Sequence, residues 1–334
     1  MKKKNFYIST AIAYSSAVPH IGNVYETILA DAIARFKRLD GYNVYFQTGT
    51  DEHGQKIEQR AKDNEISPNV YVDQITSEIV RIYNEVNISY DKFIRTTDDY
   101  HVKAVQNIIE RLHKQGDIYL GEYEGWYSIA DEAFINDDEI TDGVGPSGDK
   151  LVWMKEEVYF LKLSKYQDRL IKHINDNPDF IMPASRKNEM LNNFLSDTLP
   201  DLAISRTSFK WGIPFKFDEN HVTYVWVDAL SNYITGLGFD GINSDTELMN
   251  KFWPADIHLI GKDILRFHTI YWQILLMALD LELPKTIFGH PWLLFDRSKM
   301  SKSTNNVVYV DELLKHFPVD AIRYYLIHEV PYAQ

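Results

Sequence analysis

Residues 5–49, "NFYISTAIAYSSAVPHIGNVYETILADAIARFKRLDGYNVYFQTG", carry the clearest fold signal in the chain. This stretch opens with aromatic and β-branched residues that favour a strand. The small polar turn "SSAVPHIGN" follows, and apolar residues then recur at helical spacing until Gly41, which is placed to end the helix. Residues 43–49 form a second strand-like run. A strand, a helix and a second strand in this length predict a βαβ unit and therefore a parallel sheet.

The rest of the chain extends this pattern. Residues 68–116 are mostly helical in pattern, and residues 117–165 read as short strands around an acidic, glycine-containing turn. A helical pattern resumes near residue 166, and a second α/β half begins near residue 222 with "VTYVWVDAL", whose plain interpretation is a core strand. We predict an α/β fold with a doubly wound, Rossmann-like parallel sheet and a small β-rich insertion.

Composition limits the function classes. The chain has 334 residues and a net charge of −13, which argues against nucleic-acid binding by bulk positive potential but leaves room for one basic face. It has no cysteine, which excludes disulfides, thiolate catalysis and cysteine-ligated zinc. The start "MKKKNFYISTAIAY" lacks the clean apolar run of a signal peptide, and no segment reaches the roughly 18 apolar residues of a membrane span. We expect a cytoplasmic protein.

Two short motifs carry the chemistry. In "PHIGN", His20 and Gly22 lie where a strand gives way to a helix, and a helix N-terminus favours a phosphate. In "SKMSKSTNN", Lys299 and Lys302 could clamp a polyphosphate and stabilise leaving pyrophosphate. Taken alone, the first motif is an ordinary turn and the second a solvated basic loop. Together, at the ends of the two halves of one sheet, they indicate a nucleotide site.

The two motifs resemble the signatures of class I aminoacyl-tRNA synthetases, and the remaining motifs are similar to those of the methionyl-tRNA synthetase family. The matching segments run in the family's order and are "TAIAYSSAVPHIGNVYE", "TGTDEHGQKI", "NISYDKFIRT", "YEGWYS", "ISRTSFKWGIP", "YVWVDALSNY", "IGKDILRFH" and "KMSKS". They extend over nearly the whole chain. The resemblance implies the class I synthetase form of the Rossmann-like fold.

The resemblance also implies a domain organisation. Residues 1–115 would form the first half of the catalytic domain, 116–215 a connective insertion with a helical return, and 216–298 the second half. Residues 299–334 would hold the "KMSKS" loop and the start of a stem-contact region. The family continues into a helical anticodon-binding domain, so we expect this chain, ending at "HEVPYAQ", to make the adenylate but to charge tRNA poorly.

For methionine, the resemblance implies an ion pair and a pocket. Asp51 would hold the ammonium group and Arg206 would support Asp51, because a buried carboxylate needs a partner. An aromatic cage suits a thioether. The implied walls of the pocket are Ile12, Tyr14, Trp226, Ala229, Leu230, Tyr233, Ile264, Phe267 and His268.

For ATP, the resemblance implies a second set of residues. Gly261 and Asp263 would meet the ribose, since a carboxylate after a parallel strand is placed to accept from sugar hydroxyls. The catalytic residues would be Lys302, Lys299 and His20. The full ATP-binding set is His20, Gly22, Asn23, Glu26, Gly261, Asp263, His290, Lys299 and Lys302.

Three features depart from the family's usual pattern. Asn23 stands where a second histidine is usual, and it cannot become cationic, so its phosphate contact should be weaker. Leu230 stands where proline is frequent. The family's zinc knuckle is impossible without cysteine, so the chain resembles the metal-free subtype with the short "YEGWYS" insertion, and His53 has no second ligand cluster that would suggest a metal.

The implied reaction has two steps. The methionine carboxylate attacks the α-phosphorus of ATP, which enters with Mg²⁺, and the methionyl group then passes to tRNA(Met). We expect no protein-bound zinc, no membrane partner and a monomer. The insertion looks too small for an editing domain, so contacts to the ammonium and thioether would provide selectivity.

Three alternatives stay open. One is another class I synthetase, such as that for cysteine, although a cysteine-ligated zinc site is impossible here. Another is a nucleotidyltransferase that does not use tRNA, which would need a different segment from "WVDALSNY". The third is a non-catalytic paralogue that binds nucleotide or RNA; the presence of Asp51, His20 and both lysines speaks against it.

Overall fold

The computed structural model describes residues 3–129, 133–135, 140, 143–145, 148–295, 298–299 and 307–330. The strands are β1 Asn5–Thr10, β2 Ala13–Tyr14, β3 Asn43–Asp51, β4 Lys92–Arg95, β5 Ile118–Ser128, β6 Ala133–Ile135, β7 Val152–Leu161, β8 Ile181–Met182, β9 Leu202–Ala203, β10 Ser205–Arg206, β11 Val222–Thr223, β12 Ile257–Gly261, β13 Ile287–His290, β14 Leu294–Phe295 and β15 Ser298–Lys299.

The α-helices are α1 Ile21–Leu39, α2 Gln55–Asp63, α3 Pro68–Glu85, α4 Asp99–Lys114, α5 Gln167–Asp176, α6 Ala184–Asn193, α7 Val225–Thr235, α8 Glu247–Phe252, α9 Trp272–Ala278, α10 Val310–Leu314 and α11 Val319–Glu329. Short 3₁₀ turns cover Ser164–Tyr166 and Lys262–Ile264, and a π-helical turn covers Phe267–Tyr271.

A parallel sheet organises the molecule. Within the described residues its strands follow the path β2–β3–β1–β12–β13–β8, and β4 also pairs with β3. Strand β1 lies in the centre: Ile8 pairs with Phe46 of β3 on one side and with Ile257 of β12 on the other. The first half of the chain therefore builds outward from one edge of β1 and the second half from the other. The predicted doubly wound α/β fold is confirmed.

Helices cover both faces of this sheet, as the alternation of side chains along β1 requires. Tyr7 packs into a core with α4, α7 and α9. Its neighbours Phe6 and Ile8 pack into a separate core with α1, α3 and α11. Each face of the sheet is thus sealed by its own hydrophobic layer.

A four-stranded antiparallel sheet, β6–β5–β7–β9, stands apart from the parallel one. Its longest ladder runs from Ile118 opposite Leu161 to Tyr127 opposite Val152. This sheet is the predicted β-rich insertion. Between β7 and β9 of this sheet, β8 joins the parallel sheet, where Ile181 pairs with Ile287.

The strand interpretation of residues 222–230 is wrong. Only Val222–Thr223 is extended, and α7 begins at Val225. Every residue of α7 except Trp226 is buried. A helix enclosed on all sides has no polar stripe, so its sequence cannot be told from a buried strand by periodicity.

Candidate active site

The carboxyl ends of the central strands meet at one edge of the parallel sheet, where ligands bind in folds of this class. Asp51 ends β3, Gly261 ends β12 and His290 ends β13. The turn that carries His20 leads from β1 into α1. The topology therefore gathers predicted residues from four remote segments along one edge.

His20 caps helix α1. Its Nδ1 accepts a hydrogen bond from the backbone N–H of Gly22 (3.1 Å), and the Asn23 Oδ1 accepts from the backbone N–H of His20 (3.2 Å). Because an amide N–H only donates, Nδ1 of His20 is the acceptor, and in the neutral ring the proton lies on Nε2. Nε2 can then donate to an anion. Asn23, the departure from the usual motif, has a structural use as half of the capping box.

The amide groups of the first turn of α1 already have partners within the protein. Besides the Gly22 amide, the Ile21 N–H donates to the Val308 carbonyl (2.9 Å), and the amides of Asn23 and Val24 donate to the His20 carbonyl. A phosphate at this helix end would therefore meet the His20 ring and the helix dipole rather than unoccupied amides.

The basic loop is described only at its ends. Lys302 lies outside the described residues, and for Lys299 the structure gives the backbone alone, which pairs with Leu294 in a short hairpin. Val308, shortly after the loop, bonds directly to Ile21, next to His20. The segment that follows the loop is thus attached to the first turn of α1.

Four of the predicted nucleotide residues form one cluster. The Glu26 Oε2 lies 3.0 Å from the His290 Nε2, and His290 Nδ1 donates to the Pro291 carbonyl (2.8 Å). A Cβ at Gly261 would lie 2.6 Å from the Asp263 Oδ1 and 3.9 Å from the His290 ring, so Gly261 lies directly beside both of these side chains.

Burial and mutual contact shift the pKa values of Glu26 and His290. Burial raises the pKa of Glu26 against the lowering effect of its bond to His290. Burial alone would lower the pKa of His290, but the hydrogen bond and charge of Glu26 raise it overall. If Glu26 and His290 share one proton, the pair carries almost no net charge. Such a pair would lie where we expect the uncharged adenine or ribose.

Two of the predicted methionine walls are in direct contact. The Trp226 ring stacks on Phe267 with centroids 3.8 Å apart and planes 6° from parallel. The Tyr233 hydroxyl bonds to the His268 Nε2 at 2.8 Å. Phe267 and His268 of the second wall lie on the π-helical turn, a local geometry that is frequent at functional sites. Ala229 and Leu230 are buried on α7 beside the first wall.

The third predicted wall adjoins Asp51, the predicted partner of the ammonium group. Tyr14 pairs with Asp51 in the register of β2 and β3, and the Ser15 N–H donates to the Asp51 carbonyl (2.8 Å). Asp51 is 9% exposed, so its carboxylate reaches the edge of the core and not bulk solvent. Ile12 and Ile264 are half-buried.

Arg206 is almost fully buried, at 1% exposed. Its Nη1 donates to the carbonyls of Ser205 (2.7 Å) and Ala203 (3.1 Å), and its guanidinium lies over the rings of Tyr127 and Tyr224. The role in supporting Asp51 stays a prediction. A cation held this rigidly between two rings is suited to orient a carboxylate.

Sequence reasoning missed several buried polar residues. Glu52 is fully buried and accepts from Thr50, Thr76 and Arg95 at 2.6, 2.7 and 2.8 Å. Asp228 is fully buried on α7 and lies between two histidines. For Asp228 the available signal was a carboxylate inside the apolar segment "YVWVDAL", whereas Glu52 lies in the polar segment "TGTDEHG", which gives no sign of burial.

The described part of the chain shows neither a metal-binding cluster nor a membrane-spanning helix. No cluster of three or more histidine, cysteine or acidic side chains there is arranged to hold a metal ion. No helix in the same ranges combines the length and apolar character required to cross a membrane.

The family model described as tRNA synthetases class I (M) matches residues 6–147 and 143–334. The methionine–tRNA ligase of Clostridium acetobutylicum is 60% identical over 332 residues, covering 99% of this chain and 51% of the relative. That of Clostridium tetani is 59% identical over 333 residues, covering 99% of this chain and 52% of the relative. The chain spans about half the length of the curated relatives it matches.

Solved structures agree. Mycobacterium tuberculosis methionyl-tRNA synthetase in complex with methionyl-adenylate matches with a TM-score of 0.94 at 47% identity, covering 99% of this chain and 65% of that one. The apo form of the same enzyme matches with a TM-score of 0.83 at 43% identity, covering 100% and 63%. With its fold, its sheet-edge residues and these matches, the chain belongs to the methionyl-tRNA synthetase family of class I tRNA synthetases.

Proposed function

We propose that the protein activates L-methionine with ATP and transfers the methionyl group to tRNA(Met). The observation that carries this proposal is the likeness, at a TM-score of 0.94, to a relative that holds methionyl-adenylate. We propose that this intermediate lies between Asp51, the stacked pair Trp226 and Phe267, and the pair Glu26 and His290, which are in contact with each other.

In the first step, a carboxylate oxygen of methionine attacks the α-phosphorus of ATP. The new P–O bond forms as the bond to the β-phosphate breaks, and pyrophosphate leaves with the negative charge. No protein nucleophile is needed, so positioning and charge stabilisation supply the catalysis. ATP enters as its magnesium complex, in which the metal neutralises part of the triphosphate charge.

Each predicted residue has a role in this step. Lys299, Lys302 and the His20 Nε2–H would stabilise the charge on the phosphates, with Gly22 and Asn23 forming the helix start beneath them. Asp51, supported by Arg206, would hold the ammonium group. The walls on α7, on Ile12 and Tyr14, and on residues 264–268 would enclose the thioether. Glu26, Gly261, Asp263 and His290 would bind the adenosine.

The same proposal covers the domain bounds, the cellular location, the oligomeric state and the second step of the reaction. We propose residues 116–215 as the connective insertion with its helical return, between catalytic halves at 1–115 and 216–298, with residues 299–334 as the loop and stem-contact region. We further propose that the enzyme works in the cytoplasm as a monomer. In the second step, a terminal hydroxyl of the tRNA attacks the methionyl carbonyl and AMP leaves.

The test is ATP–pyrophosphate exchange with a panel of amino acids. Exchange that depends on methionine supports the proposal; exchange with cysteine, or with no amino acid, contradicts it. In the same assay we expect Lys302→Ala to lose exchange about 100-fold or more, because the leaving pyrophosphate loses a positive charge, while methionine binding stays largely intact.

The matched control is Lys172→Ala, at an exposed lysine on α5 that pairs only with the exposed Asp176 in the contacts the structure gives. We expect full exchange from this variant. Loss of methionine binding in Lys302→Ala would mean that the loop does not act on the phosphates.

A further inference from the structure

A buried His–Asp–His cluster lies behind the candidate methionine site. The Asp228 Oδ2 accepts from the His53 Nδ1 and the Asp228 Oδ1 accepts from the His101 Nε2, each at 2.7 Å. Asp228 and His101 are fully buried and His53 is 6% exposed. An ionised carboxylate only accepts, so both ring nitrogens donate, and each carboxylate oxygen is used once.

The cluster joins three elements that are remote in sequence. His53 lies two residues beyond Asp51, in the connection from β3 to α2. His101 lies on α4, and its Nδ1 contacts the Thr235 Oγ1 at the far end of α7 (2.7 Å). Asp228 lies in the first turn of α7. The strand end with the ammonium-binding carboxylate is therefore connected to the helix that carries the pocket wall.

The His–Asp–His cluster helps to fix the position of α7, which carries one predicted wall of the methionine pocket. Trp226 and Ala229 flank Asp228 along the helix, and Tyr233 is a little over one turn further on. On the sheet side, the Gln47 Nε2 donates to the Asn232 carbonyl and to its Oδ1, both at 2.9 Å. That bond holds the C-terminal half of α7 against β3. The His–Asp–His cluster is the corresponding attachment for the N-terminal half.

We propose that Asp228, with His53 and His101, is a positioning residue for methionine: it sets the distance between Asp51 and the pocket wall on α7. This inference rests on the proposed function and adds to it a group that does not touch the substrate. A burial-only role would affect folding alone. A positioning role predicts a selective loss of methionine affinity, because a displacement near 1 Å is enough to weaken a site of this kind.

Electrostatics agree with this geometry. Burial by itself would raise the pKa of Asp228, but the charge of His53 and the hydrogen bonds from both histidines lower it below its usual value. The carboxylate is therefore ionised at neutral pH and can accept from both rings. A neutral side chain at this position cannot do so.

The first variant is Asp228→Asn. Its amide has one oxygen and one NH₂ group, so the NH₂ faces a ring N–H and one of the two hydrogen bonds is lost. We expect the KM for methionine in ATP–pyrophosphate exchange to rise about tenfold or more, and the KM for ATP to change less than about threefold. Direct methionine titration should show the same loss of affinity.

Two pairs of variants test whether the hydrogen-bond donor or the imidazole ring itself is needed. His53→Asn and His101→Gln each place an amide N–H near the nitrogen that now donates, whereas His53→Ala and His101→Ala remove the donor. We expect the alanine variants to raise the methionine KM like Asp228→Asn, and the amide variants to stay within about threefold of the unaltered protein.

The matched control is Asp117→Asn. Asp117 is also buried, at 1% exposed, and bonds to Lys165 and Tyr166 at the start of the antiparallel sheet. We expect it to lower the melting temperature without changing the methionine KM. If the unaltered protein shows no methionine-dependent exchange, the proposed function fails independently of this inference.

The inference is overturned if folded Asp228→Asn keeps the methionine KM within about twofold of the unaltered protein, or if the KM values for methionine and ATP rise together. Should Asp228→Asn not fold, the histidine pairs decide. Equal methionine KM values for the alanine and amide variants at either histidine would also overturn it.

Discussion

Two buried histidines have their tautomers set by their hydrogen-bond partners. The Trp272 Nε1–H can only donate, so the His258 Nε2 accepts (3.2 Å) and the His258 Nδ1–H donates to the Ser9 Oγ (2.6 Å). The Ile264 carbonyl can only accept, so the His268 Nδ1–H donates to it (2.9 Å) and His268 Nε2 accepts from the Tyr233 hydroxyl. Both rings are neutral, and the Tyr233 hydroxyl is oriented by a ring that does not change charge.

This arrangement predicts acid sensitivity of folding. Burial lowers the pKa of His268 to about 4 and that of His258 well below its usual value. Below about pH 6.5 these two histidines bind protons in the unfolded chain but stay neutral in the folded chain. The free energy of unfolding is therefore highest above that pH and falls as the pH is lowered toward 4. We expect urea unfolding to show a loss of roughly 2 kcal/mol per histidine between pH 7.5 and pH 5.

His258→Gln tests this at a position outside the candidate site. Glutamine does not titrate, so the loss between pH 7.5 and pH 5 should shrink by roughly 2 kcal/mol relative to the unaltered protein. His316→Gln, at an exposed position on the surface, should leave the difference unchanged. An unaltered pH dependence in His258→Gln would show that His258 does not remain neutral in the folded state.

At the scale of elements, the segment that follows the basic loop is attached to the first half of the sheet. Fully buried Asp31 on α1 accepts from Arg35, from Ser89 and from Arg323 of α11. Arg81 on α3 reaches Asp311 of α10 with two bonds of 2.9 and 3.1 Å. Together with the bond from Ile21 to Val308, these contacts fix α10 and α11 beside the helix that begins at His20.

The two arginines should differ in their contributions to stability. The Arg323 side chain is 12% exposed and its partner is fully buried, whereas the side chains of Arg81 and Asp311 are 37% and 48% exposed. We expect Arg323→Met to cost about 2–4 kcal/mol of unfolding free energy, because Asp31 loses a charge partner in the core. Arg81→Met should cost less than about 1 kcal/mol. Denaturant melts of both variants at pH 7.5 measure this, and equal costs would contradict the ranking.

Helices and strands could be predicted from the sequence where one face of the element is apolar and the other is polar. The helix ending before Gly41 has a buried stripe and an exposed stripe, so its spacing was readable. Helix α7 has no exposed stripe, so it was misread as a strand. Strand β8, with only Ile181 and Met182, is too short to carry any period. Residues such as Asp51 and Trp226 could be assigned roles only through the family resemblance.

At the scale of the whole molecule, the sheet brings remote residues to one edge, and this was the predictable part of the site. The pairing of β1 with both β3 and β12 follows from two βαβ halves that share a central strand. The His–Asp–His cluster was not predictable, because its members lie on a loop and two helices whose packing angles no local pattern specifies. Polar contacts between such elements depend on the tertiary structure and not on any local sequence pattern.

We propose above that this sheet edge binds methionine and ATP together and joins them. The most direct measurement is mass-spectrometric detection of methionyl-adenylate after the protein is incubated with methionine, Mg-ATP and pyrophosphatase in the absence of tRNA. We expect adenylate in about equal amount to the protein, and little from Asp51→Asn, which cannot hold the ammonium group. Absence of adenylate from the unaltered protein, or equal yields from both proteins, would contradict it.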